Sequence, residues 1–170
     1  MKELIKLKYT YTHLEDNVNR LYAEMKILNP SEQSIDTISE KLGIEVCYKE
    51  ISSRAIITQG TQIIILDKRL NKSIRWEKFC HEVGHILFHK GNQLMMPDSF
   101  RLYQEWKSNN FMYHFAVPTF MLRSVNIPVD PDQAIQFLTK TFKVTPSFAK
   151  HRLNLYNQKV FSQTRSVLYG

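Results

Sequence analysis

Apolar residues recur every three or four positions in the first part of the chain, and this spacing predicts amphipathic helices. Over residues 12–28, the apolar positions that share one helical side are Leu14, Val18, Leu21, Tyr22, Met25 and Leu28. The sequence Asn29-Pro30-Ser31 interrupts this pattern, and a second helix is predicted for residues 34–42. Gly43 should end it, because glycine readily adopts the left-handed conformation found after helix ends.

The pattern then changes to short runs rich in β-branched residues, which favours strands. Three such runs cover residues 44–49, 53–58 and 62–66, and they are separated by Ser, Gln and Gly residues. The sequence therefore predicts a small three-stranded sheet in this part of the chain.

Residues 73–90 return to helical spacing and predict one amphipathic or largely buried helix. Its apolar positions are Trp76, Phe79, Cys80, Val83, Ile86 and Leu87. Ser73 is a suitable N-cap, and Lys90 followed by Gly91 is a C-terminal signal. Gly84 lies in the helix interior, where glycine costs about 1 kcal/mol relative to alanine. We therefore expect another backbone to approach this position closely.

Three further helices are predicted downstream, over residues 103–118, 130–141 and 147–157, the first of them ending near Pro118. The last two are separated by a short turn and superficially resemble a helix-turn-helix. We interpret them as paired structural helices rather than as a reader of DNA.

Together these elements predict a mixed α/β (α+β) fold. A small three-stranded sheet packs on the helix of residues 73–90 and on the helix that follows it, with further helices at the N- and C-terminal ends. With 170 residues, of which 43% are hydrophobic, the chain can bury a sizeable core as one unit. We expect one domain over residues 1–170, with an N-terminal helical segment (1–33), the sheet and the two central helices (34–118), and a C-terminal helical tail (119–170).

Several features favour a cytoplasmic protein without a membrane segment. No apolar run approaches the 18 or so residues of a membrane span, and the charged start Met1-Lys2-Glu3 leads into no signal-peptide core. Two cysteines, Cys47 and Cys80, are fewer than a secreted disulfide framework normally carries. Cys80 is expected to pack in the core, since adjacent helix positions point in directions about 100° apart.

The net charge of +7 raises the question of nucleic-acid binding. Lys and Arg are scattered, no run of five occurs, and no motif that reads DNA or RNA is present. We interpret most of this charge as solvated surface and expect no specific nucleic-acid partner.

The candidate chemistry lies in the helix of residues 73–90, where His81, Glu82 and His85 form an H-E-x-x-H arrangement. Helix positions four apart lie on one face, so His81 and His85 can place two imidazole nitrogens on one zinc ion. Glu82 projects from the flank, where it can take a proton from a water molecule on that ion. The alternative is a pair of core histidines satisfied by hydrogen bonds.

A catalytic zinc needs a third protein ligand from outside this motif. The downstream candidates are His89, Asp98, Glu105 and His114. His89 is one turn beyond His85, and three ligands spread along about 12 Å of straight helix cannot converge on bonds of about 2.1 Å. It is better interpreted as a capping or cleft-wall residue. Glu105 has a structural alternative, an exposed carboxylate in the first turn of a helix.

The residues around both helices resemble the ImmA/IrrE-type metallopeptidases of bacteria and their mobile elements. The resemblance spans residues 35–158 and includes the first motif, residues 79–89. A second motif of the form E-x-x-A-N-x-F-A-x-x-L-L-x-P maps onto Glu105, Ser108, Asn109, Phe111, Met112, Phe115, Ala116 and Pro118. Ser108 and Met112 stand where the family usually has alanine.

The resemblance implies that Glu105 is the third zinc ligand. It also implies a zinc-dependent endopeptidase of restricted specificity, whose substrate is a helix-turn-helix repressor of a prophage, mobile element or stress response. An edge strand beside the cleft would bind the extended substrate, with residues 62–66 as the candidate and a fully paired core strand as the alternative. Apart from the resemblance, His114 and Tyr113 are possible donors to an oxyanion, because such a site needs a hydrogen-bond donor, and the favoured alternative is that both are ordinary helix residues.

Two other functions remain open from the sequence. A non-catalytic regulator could keep the fold, with structural zinc, and bind a repressor or DNA. The intact Glu82 argues against it, because a closed structural site has no use for a general base. A metal hydrolase acting on something other than protein is the third reading.

Overall fold

The chain folds as a three-stranded sheet surrounded by helices, which confirms the mixed α+β class. The computed structural model describes residues 9–58, 60–88 and 97–169. Its elements are α1 (His13–Met25), a short 3-10 helix (Pro30–Glu32), α2 (Ile35–Leu42), β1 (Glu45–Lys49), β2 (Arg54–Thr58), β3 (Thr61–Asp67), α3 (Lys72–Phe88), α4 (Asp98–Ala116), α5 (Thr119–Ser124), α6 (Pro131–Phe142) and α7 (Pro146–Tyr169).

The first two helices have the ends that their sequences specify. Thr12 accepts a hydrogen bond from the Glu15 backbone, and the Glu15 carboxylate accepts one from the Thr12 backbone, which is a capping box. Gly43 follows α2 with a φ of +67°, the left-handed conformation that was predicted for it. These helices lie beside β1 and α4.

In the sheet the strand order is β1-β3-β2, with β3 parallel to β1 and antiparallel to β2. Ile64 and Leu66 of β3 are fully buried and alternate with half-buried residues, as a central strand requires. The prediction that residues 62–66 form the edge beside the cleft is therefore wrong. β1 and β2 are the two edge strands, and β2 is the one that packs against α3.

α3 lies across the sheet, in contact with β2 and β3. Its N-cap is Asn71, whose side-chain oxygen accepts a hydrogen bond from the Ile74 backbone at 2.9 Å, and not Ser73. Leu87, predicted on the apolar face, is 37% exposed, whereas Cys80 is buried in the core as expected. The predicted C-terminal signal at Lys90 and Gly91 lies outside the described residues.

α3 and α4 approach each other most closely at Gly84. A Cβ atom added to Gly84 would lie 3.0 Å from Phe111 Cδ1 and 3.3 Å from Ser108 Cα. Ser108 and Phe111 are fully buried in this contact. The close approach expected at Gly84 is confirmed, and the approaching backbone belongs to α4.

Polar side chains fix the C-terminal end of α4. Arg152 of α7 is fully buried, and its guanidinium donates to the Val117 carbonyl at 3.0 Å and to Thr119 Oγ1 at 2.8 Å. Thr119 and Lys159 both donate to the buried Glu15 carboxylate, at 2.6 and 2.5 Å. Burial alone would raise the pKa of Glu15, but these hydrogen bonds lower it to about 2. Residues of the predicted C-terminal tail thus anchor α4.

α6 and α7, the pair that superficially resembles a helix-turn-helix, pack against each other and contribute buried residues to the main core. Leu138, Phe142 and Phe148 are among them.

Among the described helices, none combines the length and the apolar character that crossing a membrane requires.

Replacement of Gly84 should separate α3 from α4. Gly84→Val places two methyl groups against Phe111 and the Ser108 backbone, and overpacking of this kind costs about 1–3 kcal/mol. We expect the free energy of unfolding, measured by urea denaturation, to fall by that amount.

Leu87→Val is the matched control, because it introduces the same β-branched residue on the exposed side of the same helix. Its effect should stay within about 0.5 kcal/mol. Parental stability of Gly84→Val would show that the two helices are not held at contact distance there.

Candidate metal centre

His81 and His85 lie one turn apart on α3 and face the same point. Their Nε2 atoms are 2.9 Å apart, and both side chains are nearly buried, with 12% and 8% exposure. Burial lowers the pKa of both imidazoles. Both rings are therefore favoured in the neutral form, which is the form that binds metal ions.

Glu105 brings a carboxylate from α4 to this pair. Its Oε2 lies 3.4 Å from His81 Nε2, and its Oε1 lies 3.2 Å from His85 Nε2. One donor atom from each of the three residues lies within 4.8 Å of the others. Asp98, another candidate third ligand, instead forms an ion pair with Arg101 at 2.7 Å on the surface.

The three donor atoms fit a tetrahedral metal ion such as zinc. Ligand atoms held about 2.1 Å from a tetrahedral ion lie about 3.4 Å apart, close to the separations of 2.9 to 3.4 Å found here. A hydrogen bond with the Asn109 side chain partly opposes the lowering of the His81 pKa by burial. Such a partner orients a metal-binding imidazole.

Glu82 points into the same space but is held by the sheet. The side chain is buried, and the Ala55 backbone N–H of β2 donates to its carboxylate. Burial raises the pKa of Glu82 to about 7, although the hydrogen bond from Ala55 and the charges of Lys78 and Arg54 act in the opposite direction. Glu82 therefore exchanges a proton most readily near neutral pH.

These groups share one cavity of about 290 Å³ between α3, α4 and the free edge of β2. Its lining residues are Ser53, Arg54, Ala55, Lys78, His81, Glu82, His85 and Glu105. The contribution of Arg54, Ala55 and Lys78 was not predicted from the sequence. Their signal is weak, since Lys and Arg are scattered along the whole chain and an alanine in a strand carries no reactive group.

Other histidine and tyrosine candidates lie elsewhere. Tyr113 packs on the rings of Phe148 and His151, with centroids 4.6 and 4.3 Å away. His114 faces Arg152, and burial together with that cation lowers its pKa to about 3. Neither residue lines the cavity, which favours the alternative that both are ordinary helix residues. His89 lies outside the described residues.

Most of the sequence matches a known protein family. Residues 39–154 match the peptidase family model described as the IrrE N-terminal-like domain. The matched range contains β1 to β3, α3, α4 and all four residues at the centre of the cavity.

Two Bacillus subtilis proteins are similar over most of the chain. The uncharacterized protein YqaB is 40% identical over 162 residues, which cover 93% of this chain and 94% of YqaB. The phage-like element PBSX protein XkdA is 36% identical over 148 residues, covering 87% of this chain and 75% of XkdA.

A solved structure shares the fold at much lower identity. A Mycobacterium tuberculosis transcriptional regulator superposes with a TM-score of 0.59 and 15% identity over 84% of this chain. The match covers 47% of the regulator, so the chain spans about half the length of that protein.

The three donor residues should retain about one zinc ion per chain after purification. His81→Ala, His85→Ala and Glu105→Ala should each abolish tight retention, because a site with two remaining protein ligands binds zinc weakly. Metal content after dialysis, measured by elemental analysis, tests this.

His151→Ala removes an exposed histidine of α7 and should leave the metal content unchanged. Full zinc in Glu105→Ala, together with its loss in His89→Ala or His114→Ala, would contradict the ligand assignment.

Proposed function

The chain belongs to the ImmA/IrrE-type metallopeptidase family, and from that premise we propose that it is a zinc-dependent endopeptidase of restricted specificity. The observation that carries the proposal is the convergence of His81, His85 and Glu105 beside the buried Glu82. Three protein donors leave a fourth tetrahedral position open, as a catalytic rather than a structural site requires.

His81, His85 and Glu105 would hold the metal ion in this proposal. When bound there, zinc supplies Lewis acidity, which lowers the pKa of a bound water to about 7 and polarises the peptide carbonyl. Asn109 keeps the His81 ring in its binding orientation through their hydrogen bond.

Glu82 acts as general base and then as general acid. Its carboxylate removes the proton of the attacking water and later delivers that proton to the leaving amine. Burial raises the pKa of Glu82 above the usual carboxyl range, towards the working pH at which one group can accept a proton and then donate it. The Ala55 N–H keeps the carboxylate aimed into the cavity.

The free edge of β2 would align the substrate backbone. Ala55 pairs with Ile64 but gives its N–H to Glu82, so it occupies a position where the backbone polar groups point away from β3. Ile57, two residues on, has the same orientation in an antiparallel pair. An extended peptide can therefore add to this edge beside the catalytic carboxylate without any side-chain specificity.

We infer the substrate class from the name of a similar protein. XkdA is by name a protein of a phage-like element, and a helix-turn-helix repressor of a prophage, mobile element or stress response is the substrate we propose. Cleavage of such a repressor would release the genes that it silences.

Glu82→Gln separates an enzyme from a non-catalytic regulator that binds a repressor or DNA. The substitution keeps the size of the side chain but removes the base, so cleavage should fall about 100-fold or more while zinc content and thermal stability remain near parental. Equal cleavage by Glu82→Gln and the parent would refute the assigned role. If Glu82→Gln and the parent protein both relieve repression equally and neither cleaves the repressor, the non-catalytic regulator is favoured.

The cavity beside the edge of β2 should admit only an extended or locally unfolded segment. Zinc-loaded protein incubated with casein should give little turnover, whereas a repressor encoded next to this chain's gene should be cut at one or a few bonds, as mass spectrometry of the products would show. Broad digestion of casein would contradict restricted specificity.

A further inference from the structure

Two cationic side chains that the proposed chemistry does not use face the catalytic cavity. Arg54 is the first residue of β2, and Lys78 lies on α3 one turn before Glu82. Both are exposed to solvent and both line the cavity. Two elements that are distant in sequence thus present positive charge to the same space.

Neither cation is neutralised by a carboxylate of its own. Within the part of the chain that the structure describes, no ion pair includes Arg54 or Lys78. Arg54 Nε donates a long hydrogen bond of 3.4 Å to the Ser52 carbonyl, and the other four guanidinium donors have no hydrogen-bond partner among the described residues.

The charge balance of the cavity favours an anion. Glu82 and Glu105 bring two negative charges and Arg54 and Lys78 bring two positive ones. A divalent cation on His81, His85 and Glu105 would therefore leave a positive surplus. The positive charges of Arg54 and Lys78 both act to lower the pKa of Glu82. Their electrostatic field therefore extends to the place where the substrate would react.

The position of Arg54 relates this charge to the substrate chain. Arg54 directly precedes Ala55, whose N–H is taken by Glu82 and whose outward-facing carbonyl would remain to pair with an extended peptide. A substrate residue seated at the start of that edge would lie beside Arg54, and Lys78 lines the same cavity from α3. The planar guanidinium offers paired donors to a carboxylate, and the ammonium adds a point charge.

We propose that Arg54 and Lys78 form a carboxylate-binding subsite beside the catalytic centre, which selects peptides carrying an acidic side chain or a free C-terminal carboxylate next to the bond to be cut. The placement relative to a cleaved bond rests on the proposed function. The binding of the carboxylate does not.

A binding experiment tests the subsite independently of catalysis. Three end-matched peptides are titrated into zinc-loaded Glu82→Gln protein: a capped peptide with one central Asp, the same peptide with Asn, and the Asn peptide with a free C-terminus. Shifts of the backbone amides of β2, followed by NMR, give the affinities. The Asp peptide or the free-carboxylate peptide should bind about tenfold more tightly than the capped Asn peptide, and this advantage should shrink as salt is added.

The two acidic peptides distinguish the two sources of the carboxylate. Tighter binding of the Asp peptide indicates an acidic side chain, and tighter binding of the free-carboxylate peptide indicates a C-terminus. In an Arg54→Gln/Lys78→Gln protein, the advantage of either over the capped Asn peptide should fall to about onefold. In Arg54→Glu/Lys78→Glu, a Lys peptide should outcompete the Asp peptide. Lys41→Glu, an exposed cation of α2, is the control for net charge and should keep the parental preference.

Three results would overturn the subsite. One is an unchanged preference in Arg54→Gln/Lys78→Gln, which would mean that the carboxylate binds the metal ion instead. The others are equal binding of all three peptides and the absence of any β2 perturbation at millimolar peptide. Failure of the parent protein to cleave any peptide would count against the proposed function, yet it would leave this carboxylate preference in place.

Discussion

The candidate metal centre depends on how closely two helices approach each other at Gly84. The histidines flank Gly84 on α3, and Glu105 lies one turn before Ser108 on α4, so the contact between Gly84 and Ser108 sets the distance across the site. The distances from Glu105 to the imidazoles are 3.2 and 3.4 Å. A side chain at Gly84 would widen this gap, and ligands must meet a metal ion within a few tenths of an ångström. Serine at position 108, where the family usually has alanine, keeps the small volume that the contact needs.

Helix α4 is fixed at its other end by groups far away in sequence. The last carbonyls of a helix have no partner within it. Here Tyr22 donates to the Phe115 carbonyl at 2.8 Å, and Arg152 donates to that of Val117 at 3.0 Å. The buried arginine also complements the negative end of the helix dipole, and Glu15 balances its charge through Thr119. The first and last helices thereby position the helix that carries Glu105, although neither contributes a residue to the cavity.

The sheet contributes to the site through one hydrogen bond and one charge. A buried carboxylate is costly unless it is hydrogen-bonded or paired. The Ala55 N–H reduces that cost for Glu82 without removing it, and this balance holds its pKa near neutral. The same strand carries Arg54 and an unpaired edge. The proposed proton transfer, backbone alignment and charge selection thus all involve β2, a strand of five residues.

Local features of the chain were readable from the sequence alone. Helical spacing placed His81, Glu82 and His85 together, because residues four apart on a helix are neighbours whatever surrounds them. The glycine inside that helix indicated a close backbone contact, and Gly43 marked the end of α2. The short β-branched runs indicated three strands, and these depend only on local composition and spacing.

Tertiary structure decided the relations between elements. Strand order is set by pairing between distant segments, so the sequence could not show that β3 is central and β2 is the free edge. Nor could it show that Tyr113 and His114 face α7 rather than the cavity, since a helix nearly without an apolar stripe does not reveal which side each residue presents. Arg54, Ala55 and Lys78 meet Glu82 only after the sheet packs on α3. Periodicity records which residues share a face of one element, whereas the cavity is made where the faces of three elements meet.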